Sequence, residues 1–258
     1  MRVLLLKKKW MTLCLSLLCA GAIFCAVWYP SAVSTAAASR QLPIYSVDTG
    51  GEKRCAISFD AAWGADNTQR ILDVLAQYQV KATFFVVGNW ADDYPDTMAT
   101  IARAGHEVMN HSNAHDHFSA LSAAEITADV TACNEKIMAC TGVMPRLIRC
   151  PYGEYDDHVI GAIRAMGMEP IQWDVDSLDW KGLGAEEIAA RVNRGVSPGS
   201  IVLFHNAGEH TPEALPLILD HLKAEGYTLV PISELILPAP YTLDHTGRQF
   251  AAEETANS

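Results

Sequence analysis

Positive charge is scarce in most of this sequence. Only 14 of the 19 Lys and Arg residues follow Arg40, whereas all 30 Asp and Glu residues do, so that part carries a net charge of −16. Nucleic-acid binding relies on Lys and Arg side chains that contact phosphates. A surface this acidic therefore argues against nucleic acid as a partner.

Glycine-rich phosphate loops and paired zinc-binding cysteines are also missing. The sequence contains neither GxGxxG nor GxxxxGK[ST], which disfavours a nucleotide-binding fold, and no Cys-x-x-Cys pair that would indicate a zinc site. Four cysteines lie beyond residue 50 and allow three disulfide pairings: Cys55, Cys133, Cys140 and Cys150. Only a Cys133–Cys140 bond is disfavoured, because about 10.5 Å of helical rise would separate the two residues.

Acidic residues are absent from the first forty positions, where Lys7–Lys9 precede an uncharged run, Trp10–Trp28. As a helix this run would be about 28 Å long, close to the apolar thickness of a bilayer, about 30 Å. The cationic flank predicts a cytoplasmic N-terminus and an exported domain. A signal-peptide core usually has about 7–15 residues, so we predict an uncleaved membrane anchor over 1–30, with cleavage and secretion as the alternative.

The remaining chain divides by composition into three parts. Residues 31–52, rich in Ser, Ala, Thr and Gly, are predicted to be a linker, and the polar tail 238–258 to be loosely ordered. Between them, 53–237 contains about seven alternating strand-like and helix-like runs, among them a helix Ser122–Thr141 that begins with a capping box. This alternation predicts an α/β fold with a parallel sheet closed, or nearly closed, into a barrel.

Four short motifs follow predicted strands and carry residues able to bind metal or move protons. They are Asp60, His111-x-x-x-His115, Arg149-Cys150-Pro151-Tyr152-Gly153 and Leu203-Phe204-His205. Catalytic residues of a β/α barrel collect at the C-terminal ends of its strands. Four such motifs in series predict an active site.

His111 and His115 are candidate metal ligands. A separation of four residues brings two imidazoles to one side of a helical turn, where they can share a cation. The alternative for an isolated motif of this kind is two surface histidines without a ligand. His117, two residues further on, is a weaker candidate.

Three further residues are candidates for acid–base work. Asp60 could be a general base or a metal ligand, or alternatively a turn residue. Arg149 follows the apolar pair Leu147–Ile148 and, pointing into a barrel mouth, would pair with Asp60 and keep it ionised. His205 abruptly ends an apolar strand, which indicates a functional residue more than a capped core histidine.

These motifs, taken in order, resemble those of the polysaccharide deacetylases, carbohydrate esterase family 4, which carry the NodB homology domain. The resemblance runs from about Cys55 to Leu235. Its matching motifs are Ser58-Phe59-Asp60, His111-Ser112-Asn113-Ala114-His115, Arg149-Cys150-Pro151-Tyr152-Gly153, Asp176-Ser177-Leu178-Asp179-Trp180 and Leu203-Phe204-His205. It implies a distorted (β/α)7 TIM-like barrel over 53–237.

The resemblance also implies a metal-dependent N-deacetylase. Such an enzyme would remove acetyl groups from N-acetylated amino sugars of peptidoglycan or a chitin-like glycan and release acetate. A divalent ion, Zn²⁺ or alternatively Co²⁺, would sit on His111 and His115. The other implied roles are Asp60 as base, His205 as acid, Arg149 orienting Asp60, Asp176 supporting His205, and the Tyr152 backbone N–H holding the oxyanion. The expected protein is a monomer of the sporulation-associated Gram-positive branch.

One position departs from the family pattern. The first motif usually has two adjacent aspartates, of which the second binds the metal, but here that position is Ala61. Either Asp66 or water replaces the ligand, or metal binding is weak, or activity is lost. The last possibility leaves a second hypothesis, a glycan-binding or structural protein on a deacetylase scaffold.

Overall fold

The structure, a computed structural model, describes residues 40–252. The chain divides after Arg40 into two units, and the described part is essentially the second. The predicted anchor, 1–30, lies outside the described residues. Between residues 40 and 252, no helix is both long enough and apolar enough to cross a bilayer.

The described residues form two sheets. The strands are β1 Ser46–Val47, β2 Arg54–Ala61, β3 Thr83–Val86, β4 Glu107–Asn110, β5 Leu147–Ile148, β6 Glu169–Pro170, β7 Val175–Asp176, β8 Ile201–His205, β9 Thr228–Leu229, β10 Tyr241–Leu243 and β11 Arg248–Ala251. The larger sheet is parallel throughout, in the order β6-β5-β4-β3-β2-β8-β7, with β9 paired to the start of β2. It curls into a half-barrel.

Helices connect these strands and cover the outer face of the sheet. They are α1 Thr68–Tyr78, α2 Gly88–Asp93, α3 Pro95–Arg103, α4 Ala123–Thr141, α5 Asp157–Ala165, α6 Ala185–Gly195, α7 Thr211–Ala224 and α8 Ile232–Leu235. An apolar cluster between sheet and helices includes Phe59 of β2 and Ile71 of α1, both fully buried. The predicted distorted (β/α)7 barrel is confirmed.

Helix α4 begins as its sequence predicts. The Ser122 side chain accepts the N–H of Glu125, and the Glu125 carboxylate accepts the N–H of Ser122 at 2.8 Å, which completes the capping box. Gly142 ends the helix in the left-handed region, at φ 74°. Its second turn lies against the loop of residues 111–115, where Asp129 accepts the N–H groups of Asn113 and Ala114.

The predicted linker 31–52 is wrong over its second half, which belongs to the fold. Ile44 and Val47 are fully buried, and the Val47 N–H donates to the Gly199 carbonyl at 2.9 Å. A Cβ on Gly199 would lie 1.7 Å from the Val47 carbonyl oxygen, so the close approach requires glycine. Strand β1 thereby closes the sheet near the start of β8.

The predicted loosely ordered tail 238–258 is also wrong as far as the structure describes it. Strand β11 pairs in parallel with β1 and antiparallel with β10, forming a three-stranded sheet. Gln249 is fully buried, and its amide exchanges two hydrogen bonds with the Leu237 backbone. The stabilising partner of this tail lies about two hundred residues away in sequence, so local composition could not reveal it.

The sheet order brings the motif-bearing strands together. β2 and β8 are neighbours, and their register sets Asp60 directly beside His205. Strands β4 and β5 end immediately before His111 and Arg149. All four motif residues consequently meet at the C-terminal edge of the parallel sheet.

Candidate active site

A cavity of about 540 Å³ opens at this edge. Its lining combines charged, imidazole and aromatic groups: Asp60, Ala62, Trp63, His111, His115, Tyr152, Gly153, Trp173, Asp176, Trp180, Leu203, His205, Ala207 and Gly208. Most of the sequence-predicted site residues are therefore brought together.

Asp60 and Arg149 form a buried ion pair at the base of the cavity. The Arg149 Nη1 donates to Asp60 Oδ1 at 2.7 Å, and Asp60 Oδ2 lies 3.4 Å from His111 Nε2. Burial alone would raise the pKa of Asp60, but the Arg149 guanidinium, with smaller contributions from His111 and His205, holds that pKa below the usual carboxyl value. Asp60 is thus ionised and oriented, as a general base must be.

The guanidinium of Arg149 is itself fixed from several sides. Its Nη2 donates to Ser58 Oγ at 2.9 Å and to the Gln172 carbonyl at 3.1 Å. Its Cζ lies 4.2 Å from the ring centre of Phe85, and the side chain is fully buried. Arg149 therefore has almost no freedom to release Asp60.

His111 and His115 lie on the same cavity wall, but not on a helical turn as predicted. Residues 111–115 form a loop in which Ser112 and His115 adopt the left-handed conformation, at φ 68° and 62°. The two imidazole ring centres are 5.0 Å apart. The loop, not helical periodicity, brings them together.

The two imidazoles differ in how they are held. His111 Nδ1 lies 2.7 Å from the Arg149 carbonyl, so this nitrogen carries the proton and Nε2 is left with its lone pair toward the cavity. His115 Nδ1 is buried and has no hydrogen-bond partner among the described residues. Burial lowers the pKa of His111, and burial followed by the nearby His111 lowers the pKa of His115 to about 4. Both rings are neutral and available as ligands at pH 7.

The hydrogen-bond partner of His205 is Asp179 and not Asp176, which the sequence predicted to support it; Asp176 contributes only a more distant charge. Asp179 Oδ1 lies 2.8 Å from His205 Nδ1, and Asp179 Oδ2 accepts the His205 backbone N–H at 2.8 Å. Leu178 adopts φ 56°, which turns the chain so that Asp179 faces His205. Asp176 lines the cavity, where its Oδ1 accepts the N–H of Leu178 at 2.9 Å.

This carboxylate changes the acidity of His205. Burial lowers its pKa, but the hydrogen bond and charge of Asp179, with Asp60 and Asp176 beyond, raise that pKa above the usual imidazole value. His205 can therefore remain protonated near neutral pH beside an ionised Asp60. Two groups with pKa values pushed apart in this way suit paired base and acid roles.

Aromatic side chains form the rim of the cavity. Trp63, Tyr152 and Trp180 are 61%, 57% and 59% exposed, unusual values for such large rings. Tyr152 takes a left-handed conformation, at φ 59°, and His117 stacks on its ring at 4.3 Å. His117 itself is not part of the lining. Exposed rings around a polar base can stack on the apolar faces of sugars.

Comparison with known proteins agrees with this geometry. Residues 48–171 match the family model for polysaccharide deacetylase. The chain is 33% identical to the peptidoglycan-N-acetylglucosamine deacetylase of Bacillus cereus, over 70% of this chain and 67% of that protein. The chain belongs to the polysaccharide deacetylase family.

Two further matches show the range of the family. The present chain is 29% identical to the chitooligosaccharide deacetylase of Bradyrhizobium sp. (strain ANU 289), over 75% of this chain and 98% of that protein. It is also similar to the crystal structure of a pseudoenzyme of carbohydrate esterase family 4 from Bacillus anthracis. That match has 35% identity, covers 75% of this chain and 68% of the other, and has a TM-score of 0.72. A mutant of this pseudoenzyme with restored activity matches equally well.

The donor atoms of this deacetylase fit a divalent ion in type but are few in number. The partnerless His115 Nδ1 and the lone pair of His111 Nε2 are nitrogen donors of the kind that zinc and cobalt accept. Within residues 40–252, however, no group of three or more His, Cys, Asp or Glu side chains is arranged to hold a metal. Ala61, fully buried, offers no ligand where the family pattern has a carboxylate.

Asp66 does not replace the missing ligand in this conformation. It is exposed and does not line the cavity. The Gly64 carbonyl in the same loop accepts Trp90 Nε1 at 2.7 Å and Asn206 Nδ2 at 2.8 Å, which holds the loop in place. Asp66 as a ligand stays a prediction, which this position does not support.

Sequence reasoning missed two residues of this site. Asp179 stands in a quoted motif, but only the three-dimensional turn at Leu178 distinguishes it from Asp176. Asp129, on α4, accepts two backbone N–H groups of the 111–115 loop. No motif marks it, although an aspartate on the inward side of a helix that follows the histidine motif is a usable signal.

Proposed function

We propose that this chain is a metal-dependent N-deacetylase of cell-wall glycan, which hydrolyses the acetamide of N-acetylated amino sugars and releases acetate. One observation carries the proposal. Asp60, kept ionised by Arg149, stands in register beside His205, whose pKa Asp179 raises. A base and an acid are thus available together in one cavity, as amide hydrolysis requires.

The first half of the reaction depends on Asp60. Its carboxylate takes a proton from the attacking water as the new C–O bond to the acetyl carbon forms. A divalent ion held by His111 and His115 would polarise the acetamide carbonyl and make water more acidic. The backbone N–H of Tyr152 is the proposed donor to the developing oxyanion.

The second half depends on His205. With Nδ1 held by Asp179, its Nε2–H is the donor that protonates the departing sugar nitrogen as the C–N bond breaks. The products are acetate and a free amino sugar. The proton that Asp60 accepted and the proton that His205 donated are exchanged with solvent before the next turnover.

The substrate class follows from the rim and the relatives. Exposed Trp63, Tyr152 and Trp180 suit a sugar chain laid across the cavity mouth. The Bacillus cereus relative acts by its name on peptidoglycan N-acetylglucosamine, and the Bradyrhizobium relative on chitooligosaccharide. We propose N-acetylglucosamine or N-acetylmuramic residues of such a glycan as substrate.

A second function is favoured by one specific observation. The missing carboxylate at Ala61, together with the likeness to a Bacillus anthracis pseudoenzyme, supports a glycan-binding protein with weak or no hydrolysis. The acid–base pair argues against it, because a binding role does not require Asp60 and His205 with opposed pKa shifts.

The proposed location follows from the sequence. Residues 1–30 are proposed to anchor the domain at the outer face of the cell membrane, where glycan is accessible. Release after cleavage is the alternative. We further propose that the domain acts as a monomer.

Acetate release tests the function directly. The full-length protein in detergent is incubated with N-acetylglucosamine oligomers or peptidoglycan, with and without added zinc or cobalt, beside His205→Gln as control. We expect metal-stimulated acetate from wild type and far less from His205→Gln. No acetate above background from wild type under any condition would contradict hydrolysis, and glycan binding without release would favour the second function. Equal release from wild type and His205→Gln would instead contradict the role of His205 as the acid.

A further inference from the structure

The loop that carries His115 is held in an unfavourable backbone conformation. Ser112 and His115 both lie in the left-handed region, which residues other than glycine seldom occupy. Such conformations persist only where surrounding structure imposes them, and they cluster at functional sites. The contacts that impose this one therefore bear on the site.

The N–H groups of Gly88 and Asn89 hold the loop from one side, where they donate to the Ser112 and Asn113 carbonyls, each at 2.9 Å.

Asp129 is a further partner from outside the loop. Its Oδ1 accepts the N–H of Asn113 at 2.8 Å, and its Oδ2 accepts the N–H of Ala114 at 3.1 Å. Both carboxylate oxygens are thus used on consecutive peptide groups between the two histidines. The loop also makes contacts within itself, since the His115 N–H donates to Ser112 Oγ at 2.7 Å.

The three imidazoles of the cavity are not supported alike. His111 Nδ1 is fixed by the Arg149 carbonyl, and His205 Nδ1 by Asp179. His115 Nδ1, by contrast, is buried without a hydrogen-bond partner in the part of the chain that the structure describes. The direction of its ring is therefore set by its backbone and by the rings of Trp63 and Tyr152, 4.9 Å and 4.4 Å away.

Helix α4 is a firm support for this purpose. The capping box at Ser122 fixes its start, and Ile126, Val130 and Cys133 bury its inner face. Asp129 lies within this well-packed stretch. A carboxylate on a rigid helix can hold a strained loop more accurately than a partner on another loop.

We infer that Asp129 is a positioning residue for His115. Its carboxylate clamps the peptide groups of Asn113 and Ala114, and this clamp directs the His115 imidazole into the cavity. The inference deepens the proposed function, on which its consequence for metal binding rests. Outer-shell partners of metal ligands typically contribute about 10–100-fold to metal affinity or activity.

The test compares three variants of the full-length protein. Asp129→Asn keeps the size but turns one acceptor oxygen into a donor that faces a loop N–H. Asp129→Glu keeps both acceptors and should restore part of the effect. Glu135→Gln, an exposed carboxylate on the same helix, is the matched control.

Two readouts are measured, one of them without metal. Hydrogen exchange of the peptide spanning residues 111–117 should accelerate in zinc-free Asp129→Asn, remain at the wild-type rate in Glu135→Gln and be partly restored in Asp129→Glu. Zinc affinity of Asp129→Asn should fall about tenfold or more, and acetate release should recover when zinc is raised. A general loss of structure would instead accelerate hydrogen exchange across α4, and acetate release would not recover when zinc is raised.

The outcomes separate this inference from the proposed function. Wild-type loop exchange and wild-type zinc affinity in Asp129→Asn would overturn the positioning role. The positioning role would also be overturned if the loop of Asp129→Glu exchanged as fast as that of Asp129→Asn while α4 exchanged at the wild-type rate. If wild type binds no zinc and releases no acetate, the proposed function fails, but loop exchange still decides whether Asp129 holds the loop.

Discussion

Asp179 binds His205 twice, through Oδ1 to the ring Nδ1 and through Oδ2 to the backbone N–H, each at 2.8 Å. Oδ2 also accepts the hydroxyl of Thr211 at 2.6 Å. The carboxylate is almost fully buried, so it cannot exchange these partners for water. This arrangement fixes the ring orientation and the tautomer of His205, and it is the feature from which the acid role follows.

Replacing Asp179 should therefore cost more activity than replacing Asp176. In Asp179→Asn the amide cannot supply the charge that favours protonated His205, and we expect kcat to fall about 10²–10⁴-fold, the usual contribution of a general acid. Asp176→Asn, which keeps an acceptor for the Leu178 N–H, is the matched control and should lose less. Steady-state acetate release measures both, and a larger loss in Asp176→Asn would contradict this assignment.

The pH dependence of activity should also show that Asp179 raises the pKa of His205. Activity requires ionised Asp60 and protonated His205. Because the pKa of Asp60 is lowered, its protonation should not set the low-pH limit of activity. Because the pKa of His205 is raised, activity should disappear only above the usual imidazole range. In Asp179→Asn the falling limb at high pH should move to lower pH. An unchanged high-pH limb in this variant would show that His205 is not the titrating acid.

The Asp60–Arg149 pair should also contribute to stability. Arg149→Met leaves the Asp60 charge buried without its partner, a change that typically costs about 3–5 kcal/mol. Asp60 has a lowered pKa, so the stability it provides is present above the ordinary carboxyl pKa and is lost as pH falls through its folded-state pKa. Urea unfolding at several pH values should show this loss in wild type and not in Arg149→Met.

A double-mutant cycle controls the stability prediction. Asp60→Asn with Arg149→Met removes both charges and should be less destabilised than the sum of the two single variants. Additive losses would mean that the 2.7 Å contact contributes no coupling energy.

Most of the fold could be predicted because its elements are local. The capping box and the following Gly142 define α4, and the apolar runs before Asp60 and His205 define β2 and β8. Strand β1 could not be predicted in this way, because two residues gain their stability from β11 and from the Gly199 turn, both distant in sequence.

The site was predictable where chemistry resides in a residue type and not where it depends on backbone shape. Asp60, Arg149 and His205 meet as expected, since each ends a strand of one parallel sheet. That Asp179 and not Asp176 bonds to His205 depends on the left-handed conformation of Leu178. Leucine rarely adopts this conformation, and the sequence does not signal it.

Export is a prediction from residues outside the described part of the chain. The Lys7–Lys9 cluster before Trp10–Trp28 should place the domain outside the membrane. Cells are fractionated and treated with external protease, with a cytosolic protein as the control. We expect membrane-bound protein that the protease digests, and full-length protein in the cytosol would contradict the prediction.

The departure at Ala61 gives the sharpest prediction about the metal. Two neutral imidazoles leave a dication uncompensated, and a carboxylate at this position would supply both a ligand and a negative charge. Ala61 is fully buried within an apolar cluster, so Ala61→Asp should be less stable than wild type without metal. Added zinc should then raise its Tm more than that of wild type, because stabilisation by a bound ligand increases with the logarithm of the ligand concentration divided by its Kd.

Asp66→Ala is the matched comparison for Ala61→Asp. Because Asp66 is exposed and the Gly64 carbonyl in its loop is held by Trp90 and Asn206, we expect no change in zinc affinity. Titration calorimetry on both variants decides the matter, with acetate release at low zinc as a second measure. If Asp66→Ala bound zinc more weakly and Ala61→Asp bound it no more tightly than wild type, the loop that carries Asp66 would have to rearrange around the metal. If neither variant changes the affinity, the ion completes its coordination with water or another group, and a missing carboxylate is not what limits this site.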